Sequence, residues 1–183
     1  MRIISGEFKG KKILQPKDKL TRPLKDMVKE SIFNILEHSN LFLFKIKKAK
    51  ILDLFSGSGS FGLECISRGA DHVTFFENYS AALSVLNKNI NKLNCSSKIM
   101  ICEKDIFSIE LKNLKKFDLI FIDPPFKNEK ISELIFKIKN SNILNKNGLI
   151  VLHRQVNNKD KFSDNFHIYK EKIYGKSKIF IGN

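Results

Sequence analysis

The 183-residue sequence predicts an α/β fold: a mostly parallel, seven-stranded sheet with helices on both faces and a small N-terminal β-hairpin extension. Three observations predict it. From residue 49 onward, short apolar runs alternate with segments whose apolar residues recur at helical spacing, the pattern of β–α–β units around a parallel sheet. Ile51-Leu52-Asp53-Leu54 runs directly into Phe55-Ser56-Gly57-Ser58-Gly59-Ser60-Phe61-Gly62, the order of strand, tight turn and helix. The last two apolar runs flank Tyr174-Gly175-Lys176, a hairpin that adds an antiparallel strand at or near an edge.

Taken in order, residues 1–20 form a basic extension and 21–183 the main domain. Residues 2–5 and 11–14 read as two short strands around Gly6 and Gly10. Pro23 suits a first helical turn. Leu24, Val28, Ile32 and Ile35/Leu36 then mark a helix to about His38, with Lys25, Lys29 and Glu30 on its opposite, solvated face. Strands follow at 49–54, 72–77, 98–102, 117–123 and 148–153, and helices at 60–68, 79–93 and 129–139. The closing strands are 166–173 and 177–181.

Length and composition indicate one globular domain, with 42% hydrophobic and 28% charged residues. No stretch approaches the ~20 apolar residues of a membrane span, and the first residues lack the apolar core of a signal peptide. Cys65, Cys95 and Cys102 are odd in number and lack C-x-x-C spacing, so reduced thiols and a cytoplasmic location are expected. A monomer is the default. No His, Cys, Asp or Glu spacing suggests a metal.

The net charge is +14, which points to a polyanionic partner. A general bias toward Lys and Asn is the competing account, since only 4 of the 33 basic residues are Arg. The distribution favours a local cause: residues 1–30 carry a net +5, and two of the four arginines, Arg2 and Arg22, lie there.

In a parallel sheet all strand carboxyl ends face one crevice. They bring together Asp53 with Gly57 and Gly59, then Glu77, Asp105 and Asp123-Pro124-Pro125-Phe126. An acid at a strand end is also a common helix cap, but four together are harder to explain that way. Gly57, Gly59 and Gly62 also fit G-x-G-x-x-G, so a dinucleotide and S-adenosylmethionine both remain open at the loop. Asp53 offers a carboxylate to hydroxyls or an ammonium group. Glu77 sits where a carboxylate would hold a ribose diol. Asp105 is placed to accept from an adenine amino group. Asp123-Pro-Pro-Phe126 decides between the two cofactors. Its prolines stiffen the backbone and leave carbonyls free. A carboxylate and a rigid carbonyl can accept both hydrogens of an exocyclic amine while Phe126 stacks on the base. Hydride transfer has no use for that set.

These residues resemble a class I S-adenosylmethionine-dependent methyltransferase acting on an exocyclic nitrogen. With Arg-Ile-Ile-Ser-Gly-Glu-Phe-Lys-Gly-Lys-Lys from Arg2 and Thr-Arg-Pro-Leu-Lys-Asp-Met-Val-Lys-Glu-Ser-Ile-Phe-Asn-Ile-Leu from Thr21, the chain is similar to the RsmD family over nearly its whole length. That family methylates guanine N2 in 16S ribosomal RNA. The resemblance implies Asp123, Pro124 and Phe126 as catalytic residues. It implies Asp53, Phe55, Gly57, Gly59, Glu77, Asp105 and Asp123 around S-adenosylmethionine. Arg2, Lys9, Lys11, Lys12, Arg22 and Lys25 would face 16S rRNA, within a small ribosomal subunit or an assembly intermediate. The chain departs from the family pattern at Leu24 in place of a threonine, Met27 and Lys29 in place of arginines, and His153 in place of an acid. Adenine-N6 methylation of DNA or RNA is the nearest alternative. An NAD-dependent oxidoreductase and a non-catalytic RNA chaperone are rivals of other classes.

Overall fold

A computed structural model of the chain describes residues 1–18, 23–125 and 127–183. The helix expected to open at Thr21–Pro23 begins only at Asp26, with Pro23, Leu24 and Lys25 outside it. Thr21, Arg22 and Phe126 lie outside the described residues. The elements are α1 (Asp26–His38), β1 (Lys50–Leu54), α2 (Ser60–Ser67), β2 (His72–Phe76), α3 (Ser80–Leu93), β3 (Ile99–Cys102), β4 (Phe117–Ile122), α4 (Ile131–Asn140), β5 (Leu144–Gln155), β6 (Ile168–Tyr174) and β7 (Ser177–Gly182). The sheet order is β3-β2-β1-β4-β5-β7-β6. β1 to β5 are parallel, and β7 is antiparallel to both β5 and β6. The closing hairpin therefore inserts its second strand beside β5 and leaves β6 at the edge.

Strand parity sorts the core into two layers. Ile51, Val73, Phe75, Leu119, Phe121, Leu149 and Val151 pack with α1, α2 and α3. Leu52, Leu54, Ile120, Ile122, Ile150 and Leu152 face the other way, against Ile131, Leu134, Ile135 and Ile138 of α4. By the same parity Asp53, Asp123 and His153 share the α2 side of three adjacent strand ends. Gly62 lets α2 lie close to the sheet: a Cβ there would stand 2.3 Å from the Phe75 ring. Cys65, Cys95 and Cys102 are free thiols.

The N-terminal segment closes as a loop with one antiparallel bridge, Arg2–Lys12, in place of two full strands. Its fixed points are on α2. Glu64 accepts the N–H groups of Ile4 and Ser5, and Ser67 receives those of Glu7 and Phe8. Ile3, Phe8 and Ile13 join the main core.

One sequence expectation is overturned here. Lys29 is not on a solvated face but fully buried, its Nζ donating to the Arg2 carbonyl at 2.8 Å and the Ser60 hydroxyl at 3.3 Å, with Glu64 Oε2 at 3.4 Å. The N-terminal loop and α2 cover the side of α1 that helical periodicity alone assigns to solvent. Burial pushes the Lys29 ammonium below its ordinary range, and the Glu64 carboxylate opposes that shift.

Candidate active site

The carboxyl ends of β1 and β4 open into a cavity of about 410 Å³, within the range of small-molecule sites. Its walls are the β1–α2 loop with Phe55 and Gly57, Glu77 and Tyr79 after β2, Asp123-Pro124-Pro125 after β4, and His153 on β5. Gln15, Pro23 and Leu24, which flank the undescribed stretch, close the remaining side.

Two of the three acids in the crevice, Asp53 and Glu77, also have a backbone task. Asp53 is buried, and its Oδ2 accepts the Gly62 N–H at 2.9 Å, satisfying one free donor of the first turn of α2. The α2 N-cap position is Gly59, left-handed at φ 79°, which brings no capping side chain of its own. Glu77 accepts Gly57 N–H at 2.7 Å on one oxygen, and the N–H groups of Asn78 and Tyr79 at 2.9 Å on the other. It thereby ties the loop after β1 to the loop after β2. Asp123 Oδ1 lies 2.8 Å from His153 Nδ1, within hydrogen-bond distance. Burial raises the Asp53 carboxyl well above the usual carboxylate range, the Gly62 hydrogen bond opposes this, and the Asp123 and Glu77 charges add to the rise.

Of the residues expected at the site, Asp53, Phe55, Gly57, Glu77, Asp123 and Pro124 line one cavity. Asp105 and Gly59 are not among the described lining residues. Asp105 is exposed and caps a short 3-10 turn through the Phe107 N–H at 3.0 Å, whereas Gly59 shapes the turn into α2. Arg2, Lys9, Lys11 and Lys12 are exposed together on the N-terminal loop, and Lys25 is exposed immediately before α1.

Sequence reasoning missed what joins that loop to the cavity. Asn89, fully buried on α3, accepts the Leu14 N–H and donates to the carbonyls of Leu14 and Ser58. Gln15 Nε2 donates to the Ser58 hydroxyl at 2.8 Å. Asp18 is hydrogen-bonded to Tyr79, whose phenol partial burial and the Asp18 carboxylate both hold above its ordinary range. Residues 14–18 thus cross the mouth of the cavity from α3 to the loop after β2. An asparagine within an amphipathic helix carries no signal of that kind. Phe55 is a second omission in conformational terms: it sits at φ 58° directly after β1, where non-glycine residues are uncommon and strain gathers at functional sites.

The chemistry of the lining discriminates between ligands. It holds three carboxylates and, among the described residues, no Lys or Arg. A pyrophosphate would meet like charge here, whereas a cation bearing a diol would be matched. Gln15 Oε1 is buried without a partner among the described residues, an acceptor suited to an ammonium donor.

A family model described as conserved hypothetical protein 95 matches residues 1–183. The ribosomal RNA small subunit methyltransferase D of Haemophilus influenzae is 34% identical over 178 residues, covering 96% of this chain and 89% of the relative. The protein of the same name in Escherichia coli K12 is 30% identical over 176 residues, covering 96% and 85%. Among solved structures, a putative methyltransferase from Escherichia coli superimposes with TM-score 0.85 at 28% identity, covering 100% of this chain and 96% of that one. A putative methylase from Haemophilus influenzae gives TM-score 0.78 at 31% identity, covering 99% and 96%.

Proposed function

Because the chain belongs to the conserved hypothetical protein 95 family, the RsmD-type methyltransferases, we propose that it transfers a methyl group from S-adenosylmethionine to the exocyclic N2 of a guanine in 16S rRNA, as part of the small ribosomal subunit or an assembly intermediate. The observation that carries this reading is the pairing of an acid-lined crevice, without Lys or Arg among the described residues, with Asp123-Pro124 at its edge. The relatives named small-subunit rRNA methyltransferases support the substrate class.

S-adenosylmethionine supplies a sulfonium methyl group open to direct displacement by a nitrogen lone pair. The crevice is suited to holding it. Glu77, already fixed by three backbone N–H groups, keeps about one of its roughly four acceptor sites for a ribose hydroxyl. Asp53 Oδ1 and Gln15 Oε1 provide acceptors toward an ammonium group. The Phe55 ring offers an apolar face at the mouth, 6.1 Å from Phe107 between centroids.

The chain's own residues prepare the nucleophile. The guanine amine is weakly nucleophilic because its lone pair is delocalised into the ring. Asp123 and the Pro124 carbonyl accept its two hydrogens, which turns the lone pair out of conjugation and toward the donor. As the nitrogen gains the methyl group the methyl–sulfur bond would break, and S-adenosylhomocysteine would leave as a neutral thioether. The proton shed by the amine would pass through the Asp123 carboxylate to water. Positioning supplies much of the remaining acceleration. Phe126 is assigned to stacking on the base, and Arg2, Lys9, Lys11, Lys12, Arg22 and Lys25 to the RNA backbone. Asp105 is left with the adenine amino group, reached from the rim rather than from the cavity floor.

The test is transfer of labelled methyl from S-adenosylmethionine to small-subunit RNA and particles from cells lacking the gene, followed by nucleoside analysis. N2-methylguanosine at one position supports the reading. N6-methyladenosine replaces it with the adenine reaction, and no label in any RNA overturns it.

A further inference from the structure

His153 lies beside Asp123, two residues before the end of β5. Leu152 on β5 pairs with Ile122 on β4, so the residues that follow, His153 and Asp123, are lateral neighbours on the same side of the sheet. His153 Nδ1 lies 2.8 Å from Asp123 Oδ1. The His153 side chain is 6% exposed, while the Asp123 side chain keeps 19% of its surface open. Both line the cavity. The backbone of Asp123 is separately held through its N–H to the Leu54 carbonyl at 3.3 Å. The next residue of β5, the buried Arg154, reaches the other end of the same loop and donates to the Asn128 carbonyl at 3.0 Å. β5 therefore braces the Asp123–Asn128 segment at both ends.

An ionised carboxylate only accepts hydrogen bonds, so the nitrogen facing it must carry the proton. With Oδ1 occupied and the plane of the carboxylate fixed, Oδ2 is the oxygen left to receive an amine. Without that bond the carboxylate turns freely about its last side-chain torsion, which is broad and weakly restrained.

We propose that His153 is a positioning residue for methyl transfer: its Nδ1–H holds one oxygen of Asp123 so that the other faces the amine of the target base. The role rests on the methyl-transfer reading above, although the hydrogen bond itself can be tested without it.

Two variants separate donation from bulk. In His153→Asn the amide nitrogen reaches the place of Nδ1. In His153→Leu the space is filled and nothing is donated. Single-turnover methylation is measured beside S-adenosylhomocysteine affinity and thermal unfolding. The Leu variant is expected to slow transfer at least about tenfold, the scale of one missing hydrogen bond to a charge, with cofactor affinity within twofold. The Asn variant is expected to recover most of the rate. Equal loss in both variants, or parental rate in the Leu variant, overturns the role. Nitrogen NMR of the labelled imidazole is read in the same samples and needs no activity or variant stability. A proton on Nδ1 in the parent, displaced in Asp123→Ala, supports the assignment, and a proton on Nε2 alone overturns it. A parent protein that methylates no RNA overturns the proposed function instead, and the NMR result then decides the hydrogen bond by itself.

Discussion

Lys29 Nζ and Glu64 Oε2 stand 3.4 Å apart with both side chains fully shielded from water. The pair sits at the junction of three elements. Lys29 comes from α1 and also holds the Arg2 carbonyl; Glu64 comes from α2 and also holds Ile4, Ser5 and Arg68. Removing one partner strands the other charge, and a broken buried pair typically costs about 3–5 kcal/mol. Glu64 keeps Arg68 and two amides, so Lys29→Met should fall at or below the low end, at about 2–3 kcal/mol. Urea unfolding checks this. A change below about 0.5 kcal/mol, the scale of an ordinary surface substitution, would show that the network does not fix the N-terminal loop.

The Asp53 carboxyl gives a pH dependence of defined sign. Its acid is held above the ordinary range when folded, so the folded state binds the proton more tightly than the unfolded chain does. The stabilisation is present at pH values below the ordinary Asp range near 3.9 and is lost as pH rises through the raised native value. Asp53→Asn keeps an oxygen for the Gly62 N–H and titrates no proton. The stability of the parent relative to this variant should therefore decline from about pH 4 upward, with a limiting slope of about 1.4 kcal/mol per pH unit for one proton. Denaturant unfolding of both proteins between pH 4 and 8 measures it. A gap independent of pH would mean that Asp53 is ionised as readily in the fold as outside it, and one that widens in favour of the parent would mean that it is ionised more readily.

Period-two alternation is enough to read the sheet and its crevice. It places Asp53, Asp123 and His153 on one side, and each strand lies within a few residues of its expected bounds. β5 is the exception, beginning at Leu144, ahead of a register shift against Phe117 and Leu119 of β4. What the sequence does not disclose is contact between distant segments. Lys29 looks solvated by helical spacing because nothing in that spacing says the N-terminal loop will cover it. Asn89 and Gln15 become informative only once residues 14–18 are seen to cross the cavity mouth. The acids are legible as a set, but their double use is not: Asp53 and Glu77 hold backbone N–H groups and line the site together.

The basic N-terminal loop should govern how RNA affinity responds to salt. Arg2, Lys9, Lys11 and Lys12 are exposed on one loop, and phosphate contacts make log affinity fall with log salt. Deleting the loop is the wrong test, since Ile3, Phe8 and Ile13 are core residues. Replacing Lys9, Lys11 and Lys12 with Gln should reduce the slope by about 0.7–0.9 for each phosphate that is no longer neutralised. Cofactor affinity should be unchanged. An unaltered slope would return the charge to a general lysine bias.

Glu77 should matter twice. Glu77→Ala removes a ribose hydrogen bond and releases the Gly57, Asn78 and Tyr79 amides. Cofactor affinity should fall by about 1–3 kcal/mol, and Gly57 should exchange its amide hydrogen faster. Calorimetry with S-adenosylhomocysteine and hydrogen exchange read the two effects separately. Faster exchange with unchanged affinity would make Glu77 a loop tie alone.

Asp123 is expected to be the residue on which transfer depends most. Asp123→Asn preserves shape but replaces a charge and one acceptor oxygen with a donor amide. If the amide oxygen faces His153 Nδ1–H, its nitrogen meets the hydrogens of the target amine, donor against donor. If the amide turns over, its nitrogen meets His153 instead, and the imidazole must change tautomer to accept it. In either arrangement the amine loses a charged acceptor. Losing a hydrogen bond of that kind typically costs about 1.5–3 kcal/mol, a rate loss of roughly ten- to more than a hundredfold. Glu77 and the glycine loop are untouched, so S-adenosylhomocysteine affinity should fall much less than the transfer rate, even though Asp123 borders the cofactor. Single-turnover methylation of small-subunit particles, with binding followed in parallel, checks both halves. An Asp123→Asn protein that methylates at the parental rate would reduce Asp123-Pro124-Pro125 to a rigid turn leaving β4 and remove the acceptor pair from the mechanism.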